Sequence, residues 1–271
     1  MSELVALRAL PPRFSTPSWK AVLGIAFLIA LAIWAFAGAG ISTEDFIDGL
    51  PEMWRLIGEM FPPDIARSES IAWSLVETFQ MALAGTIIGV LLSFPLSALA
   101  ARNTSPHWSL YQVARGLTAL FRTIPDLVWA LFFVATVGIG PFAGTLTIAV
   151  DTMGFCARFF AEGMEEADRG PEEALKALGS SKISIFFAYI FPVSLPSITN
   201  SSLFSLEKAV RSSVILGLVG AGGIGIELKV AMEMFRYDQA CTIILCILIL
   251  VIGVERVSSF ARSRLLDQSS R

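Results

Sequence analysis

Charge is scarce in this chain. Only 16% of its 271 residues are Asp, Glu, Lys or Arg, against roughly a quarter in soluble domains. Hydrophobic residues make up 55% and the mean hydropathy is +0.69, so an ordinary soluble domain is excluded. Histidine occurs once, as His107 in a polar stretch that reads as a solvated loop. No His-based triad or metal cluster can be assembled around it, which argues against an ordinary hydrolase. Cys156, Cys241 and Cys246 are odd in number and lack CxxC spacing, so neither a disulfide framework nor a zinc site is indicated. No GxxxxGK[ST] phosphate loop occurs, so the chain is not expected to bind or hydrolyse ATP. There is no internal repeat and no low-complexity tract. The net charge of −3 says little about partners, and nucleic acid is not among those expected.

What is present is a series of apolar runs. Residues 21–41 carry no charge, and a helix of that length spans a hydrocarbon core of roughly 30 Å. The run is too long for the apolar region of a secretory signal, so a retained span is expected rather than a cleaved leader. Residues 42–70 are acidic and polar. Within them, 44–60 suit an amphipathic helix at the membrane interface, with Pro62-Pro63 as a breaker. Further spans are read at 71–101, 117–137, 142–160, 195–219 and 239–257, with a tight turn at Gly138-Ile139-Gly140-Pro141. The prediction is an all-α membrane protein of about six transmembrane helices.

Most of the Lys and Arg residues fall in alternate connecting segments: 1–20, 102–122, 158–182 and the tail beyond 255. The positive-inside rule then puts both termini in the cytoplasm. The expected organisation is a cytoplasmic tail at 1–20, a first span at 21–41, an extracytoplasmic loop at 42–70, a core at 71–260 and a cytoplasmic tail at 261–271.

The most informative stretch lies on the predicted cytoplasmic side, within 162–192. Pro171, Glu172 and Glu173 suit a helix N-terminus, and Gly179 suits its stop. Ser180 or Ser181 can cap a second helix, which Pro192 should end. Ala174, Leu175, Ala177 and Leu178 would give the first helix a small apolar surface able to dock into a cleft on another protein. Here the chain resembles the binding-protein-dependent ABC permeases. Their signature is Glu-Ala-Ala, three residues, Gly, nine residues, Ile, one residue, Leu-Pro. Glu173, Ala174, Gly179 and Pro192 fall in register, while Leu175, Tyr189 and Phe191 depart conservatively. The runs from Glu77 to Ala82, Phe121 to Leu131 and Val214 to Gly225 are similar to the phosphonate-importer (PhnE-type) permeases. Members of that family often carry His where this chain has Asp151.

The resemblance implies the type I ABC importer permease fold in the bacterial inner membrane. It makes Glu172, Glu173, Ala174, Leu175, Gly179 and Pro192 part of an ATPase-coupling loop. It implies an ABC ATP-binding subunit, an extracytoplasmic substrate-binding protein and a second permease copy as partners. ATP and Mg would be bound by the ATPase, not by this chain. The cargo would be phosphonate, phosphite or phosphate.

Charges inside spans are costly and tend to face a cavity or a partner. Glu77, Asp151, Glu207, Lys208 and Arg211 are such charges. Asn200, Glu207 and Arg211 share one helical face, in a span rich enough in serine to line a watery path. The candidate pathway is therefore Glu77, Asp151, Asn200, Glu207 and Arg211. Arg211 could offer forked donors to an oxyanion, or could pair with Glu207 at i, i+4. Glu77 and Asp151 suit hydrogen bonds between helices better than substrate contacts. Gly220, Gly222, Gly223 and Gly225 match GxGxxG, but the polar run before them does not read as a buried strand. In a membrane protein they permit a tight bend or close helix approach, and the resemblance places that bend near an outer gate. An ion-coupled secondary transporter with Glu77, Asp151 and Arg211 as a proton relay is the alternative, followed by a membrane scaffold that transports nothing.

Overall fold

A computed structural model describes residues 18–40 and 42–267. The first 17 residues of the predicted N-terminal tail, Ile41 at the end of the predicted first span, and the last four residues of the C-terminal tail lie outside the described residues. Contacts divide the chain into two units, 1–57 and 58–271. The first holds α1 (Trp19–Gly38), exposed along its whole length, and most of α2 (Thr43–Glu59). The Ser18 side chain accepts the Ala21 N–H to cap α1. α2 is the amphipathic helix expected from the sequence, and it stops before Pro62-Pro63.

The second unit is a helical bundle built on α3 (Ser68–Ala100) and α6 (Pro141–Glu165). The two run in the same direction with glycines in their seam. A Cβ on Gly85 would lie 2.7 Å from the Ile148 Cβ, and one on Gly89 would lie 2.6 Å from the Thr152 Cβ. Equal steps of four on both helices mark a parallel small-residue contact of the kind that lets membrane helices approach. All but the first two residues of α6 are at least partly covered. With 25 residues it is long enough to span, yet it is not among the four helices that are also apolar enough. A helix sheathed by other helices can carry Asp151, Arg158 and Glu162 without meeting lipid.

The predicted third span, 117–137, is not one helix. It is α4 (Trp108–Thr123) and α5 (Asp126–Val137), bent by 88°. Pro125 explains the break: its ring disfavours helical backbone at Ile124, which is extended at φ −77°, ψ 121°. If the bent pair counts as one span, the described residues hold five apolar spans, one fewer than the six expected, and the predicted span at 142–160 lies in α6, which is long enough to cross but less apolar. His107, read as a plain loop residue, is the N-cap of α4 and accepts the Ser109 N–H through Nδ1.

Pro192 also departs from expectation. The helix that it should end continues from α8 (Lys182–Ile185) through a π turn at Phe186–Ile190 into α9 (Phe191–Leu218). Within the π turn the Phe191 N–H reaches back to the Phe186 carbonyl. A proline one residue later has no N–H to place, and the widened turn relieves its ring. The bundle is completed by α7 (Arg169–Ala177), α10 (Ile224–Glu233) and α11 (Tyr237–Asp267). α7 projects at one end; the glycine turn between α9 and α10 lies at the other.

Candidate functional site

At the α7 end, Asp168 caps the helix by accepting the Gly170 N–H. Its C-terminus closes as a Schellman motif, in which Gly179 N–H reaches the Lys176 carbonyl at 3.0 Å and Ser180 N–H the Leu175 carbonyl at 3.1 Å. Gly179 has φ +82°, the left-handed conformation this closure needs. Ser181 caps α8. Ala174, Ala177 and Leu178 face outward, and Leu178 is 82% exposed. Leu175, expected among them, turns inward instead and packs against the core around Phe160 and Met164. Glu172 is buried and accepts from Lys176 Nζ. Glu173 is exposed. The Tyr189 hydroxyl donates to the Asp168 carbonyl at 3.0 Å, tying the π turn to the start of α7.

Beside α7 lies a clamp that the sequence did not announce. Arg115 of α4 donates from Nη2 to both Glu165 carboxylate oxygens at 2.8 Å and from Nε to the Ala100 carbonyl at 3.0 Å. Glu165 also accepts the Arg102 N–H at 2.8 Å. The C-terminal ends of α3 and α6 are thereby joined to the middle of α4 immediately before α7. The Arg102 pKa is raised, first by its hydrogen bond to the Tyr111 hydroxyl and then by the charges of Tyr111 and Glu165.

Along α9, Asn200, Glu207 and Arg211 do share a face, and that face meets α11. Arg262 donates to Glu207 at 2.5 Å and to Asn200 at 3.4 Å. Arg211 lies 3.6 Å from Glu255. The i, i+4 pairing of Glu207 with Arg211 is therefore not the arrangement found. Residues seven apart lie two turns apart on one face, so a single α11 guanidinium reaches Asn200 and Glu207 together. On another side of α9, Lys208 Nζ lies 2.8 Å from both carboxylate oxygens of Asp151 on α6. One turn on, the Ser212 hydroxyl donates to Asp126 of α5 at 2.8 Å. The sequence showed Lys208 as a charge inside a span, but not its partner 57 residues away.

At the opposite end, the glycine turn is a packed bracket. Gly220, Gly222 and Gly223 have φ of 93°, 89° and 75°, and a Cβ on Gly222 would lie 2.6 Å from the Pro141 nitrogen. Gly225 touches Gly217, leaving no room for a side chain on either. Glu77 accepts the Gly223 N–H at 2.9 Å and Thr78 Oγ1 the Ile224 N–H at 2.7 Å. Glu77 thus serves the turn, and a helix, not a strand, precedes the glycines. Among the described residues no group of His, Cys, Asp or Glu is placed to hold a metal ion.

A bundle of apolar helices with charges paired between helices at Asp151–Lys208, Arg115–Glu165 and Glu207–Arg262, and with a capped helical knob at one end, defines a multi-pass membrane protein. The chain belongs to the family "Binding-protein-dependent transport system inner membrane component", whose model matches residues 85–267. It is 37% identical over 239 residues to the "Phosphate-import permease protein PhnE" of Mycolicibacterium smegmatis, covering 88% of this chain and 42% of that protein. The chain thus spans less than half the length of that relative. It is 33% identical over 245 residues to the "Phosphite transport system permease protein PtxC" of Stutzerimonas stutzeri, covering 90% and 89%. A chain of the MetNI methionine ABC transporter in an inward-facing conformation superimposes with a TM-score of 0.63 at 26% identity, covering 75% of this chain and 99% of that one. The fold is that of the type I ABC importer permeases.

Proposed function

We propose that this chain is the transmembrane permease subunit of an ATP-driven importer for a phosphorus oxyanion: phosphonate, phosphite or phosphate. The observation that carries the reading is α7. A short helix is presented outward with Leu178 exposed and a Schellman closure at Gly179, on a chain whose relatives are named as phosphate and phosphite permeases. An ATPase subunit binding ATP and Mg docks on α7 from the cytoplasm, and both chain termini lie on that side. A second permease copy completes the pathway, and an extracytoplasmic binding protein delivers the anion near the glycine turn, which acts at the outer gate. Arg211 and its neighbours on α9 meet the anion as it passes, and alternating access couples this passage to hydrolysis.

The ion-coupled alternative needs Glu77, Asp151 and Arg211 to form a relay. Here each has its partner outside the trio: Glu77 the Gly223 N–H, Asp151 the Lys208 ammonium, and Arg211 the Glu255 carboxylate. The test is ATP hydrolysis by the reconstituted complex. Adding binding protein loaded with anion should accelerate hydrolysis, and a cysteine replacing Leu178 should crosslink to the ATPase. Hydrolysis indifferent to loaded binding protein, with no crosslink, would refute the assignment.

A further inference from the structure

Lys208 stands apart from the other charges of α9. Its ammonium is chelated by both oxygens of Asp151, yet the pair is not sealed, since the side chains are 37% and 19% exposed. The flanking wall is aromatic. The Lys208 nitrogen lies 5.7 Å from the centre of the Phe155 ring, which stacks on Phe204 at 5.6 Å. A cation and a carboxylate that are both partly exposed in the single chain, with Phe155 and Phe204 beside them, make a site whose net charge at rest is zero.

We propose that Lys208 and Asp151 form an anion-exchange site: the phosphoryl oxygens of the passing substrate take the Lys208 ammonium from Asp151, and the returning carboxylate expels them. The inference rests on the oxyanion-permease reading above. Its physical logic is one of limits. An unpaired ammonium in a low-dielectric pathway would hold a phosphorus oxyanion too tightly for release. A pathway without a cation would repel the anion outright. The paired site offers three ammonium donors in place of lost hydration, while Asp151 stays close enough to repel the bound anion and keep residence short. The exchange is of hydrogen-bond partners.

The two members of the pair then have opposite effects, which a merely structural ion pair would not. The complete complex of permease, ATPase and binding protein is placed in lipid nanodiscs, where both faces are accessible. Hydrolysis stimulated by loaded binding protein is titrated with methylphosphonate and with phosphite. Asp151→Asn should lower the half-inhibiting anion concentration tenfold or more relative to wild type. Lys208→Gln should raise it and slow uptake in proteoliposomes. The neutral pair Asp151→Asn/Lys208→Gln keeps a side-chain hydrogen bond between the helices and should also lose the inhibition, which separates charge from packing. Inhibition unchanged in Asp151→Asn, or shifted the same way by both single variants, would overturn the site while leaving the permease reading intact. If wild-type complex transports none of the phosphorus anions, the permease reading falls, and the site with it.

Discussion

Replacing Gly85 and Gly89 with alanine adds two methyl groups to a seam with no space for them. The new Cβ atoms would meet the Ile148 Cβ at 2.7 Å and the Thr152 Cβ at 2.6 Å, with backbone oxygens of Thr145 and Ala149 at 2.8 and 2.7 Å. Carbon atoms rest at about 3.5–4.0 Å, so α3 and α6 must part by about 1 Å. Side-chain rotation cannot relieve the contact, because the obstructing atoms are Cβ and backbone. Overpacking of this kind costs ~1–3 kcal/mol per site. One separation of the helices relieves both sites, so the double variant should cost less than the sum of the singles. Thermal unfolding of the detergent-purified protein, followed by tryptophan fluorescence, should show Gly85→Ala/Gly89→Ala melting on the order of 5–10 °C below wild type. Gly253→Ala, where a Cβ meets nothing within 4 Å, should melt with the wild type. A double variant as stable as wild type would refute the claim that this seam is closed by glycine.

Other positions give sharp expectations. Gly179→Val places a β-branched residue at φ +82°, a strain of ~1–3 kcal/mol; hydrolysis stimulated by loaded binding protein should fall while the bundle still melts near wild type. Arg115→Met and Glu165→Gln should each destabilise, and a double-mutant cycle should return a coupling of about 1–2 kcal/mol; additive effects would mean the clamp carries no energy of its own. Glu77→Ala removes the acceptor of the Gly223 N–H, and hydrogen exchange across 220–225 should quicken without a change at α7.

The apolar runs made α1, α3, α9 and α11 legible, because a hydrocarbon core demands about twenty apolar residues whatever the fold. The stop of α7 at Gly179 and the cap of α8 at Ser181 were legible too, since both satisfy local backbone groups, whereas Asp168, which caps the start of α7, was not picked out. Long-range geometry was not. Pro125 and Pro192 look alike in the sequence, yet one breaks a span at 88° and the other is absorbed by a π turn. Gly85 and Gly89 were visible as glycines in a span, but their partner helix was not. The i, i+4 spacing of Glu207 and Arg211 suggested a local pair, whereas Arg262 and Glu255 on α11 supply the partners. Periodicity reports which residues share a face, and is silent on what that face meets.

Uptake of labelled methylphosphonate, phosphite and phosphate into proteoliposomes holding this chain, its ATPase and its binding protein tests the central claim most directly. The account predicts accumulation of at least one anion only when ATP is available to the ATPase, unaffected by collapse of the proton gradient. Accumulation without ATP that follows the proton gradient would contradict it and make the chain an ion-coupled transporter.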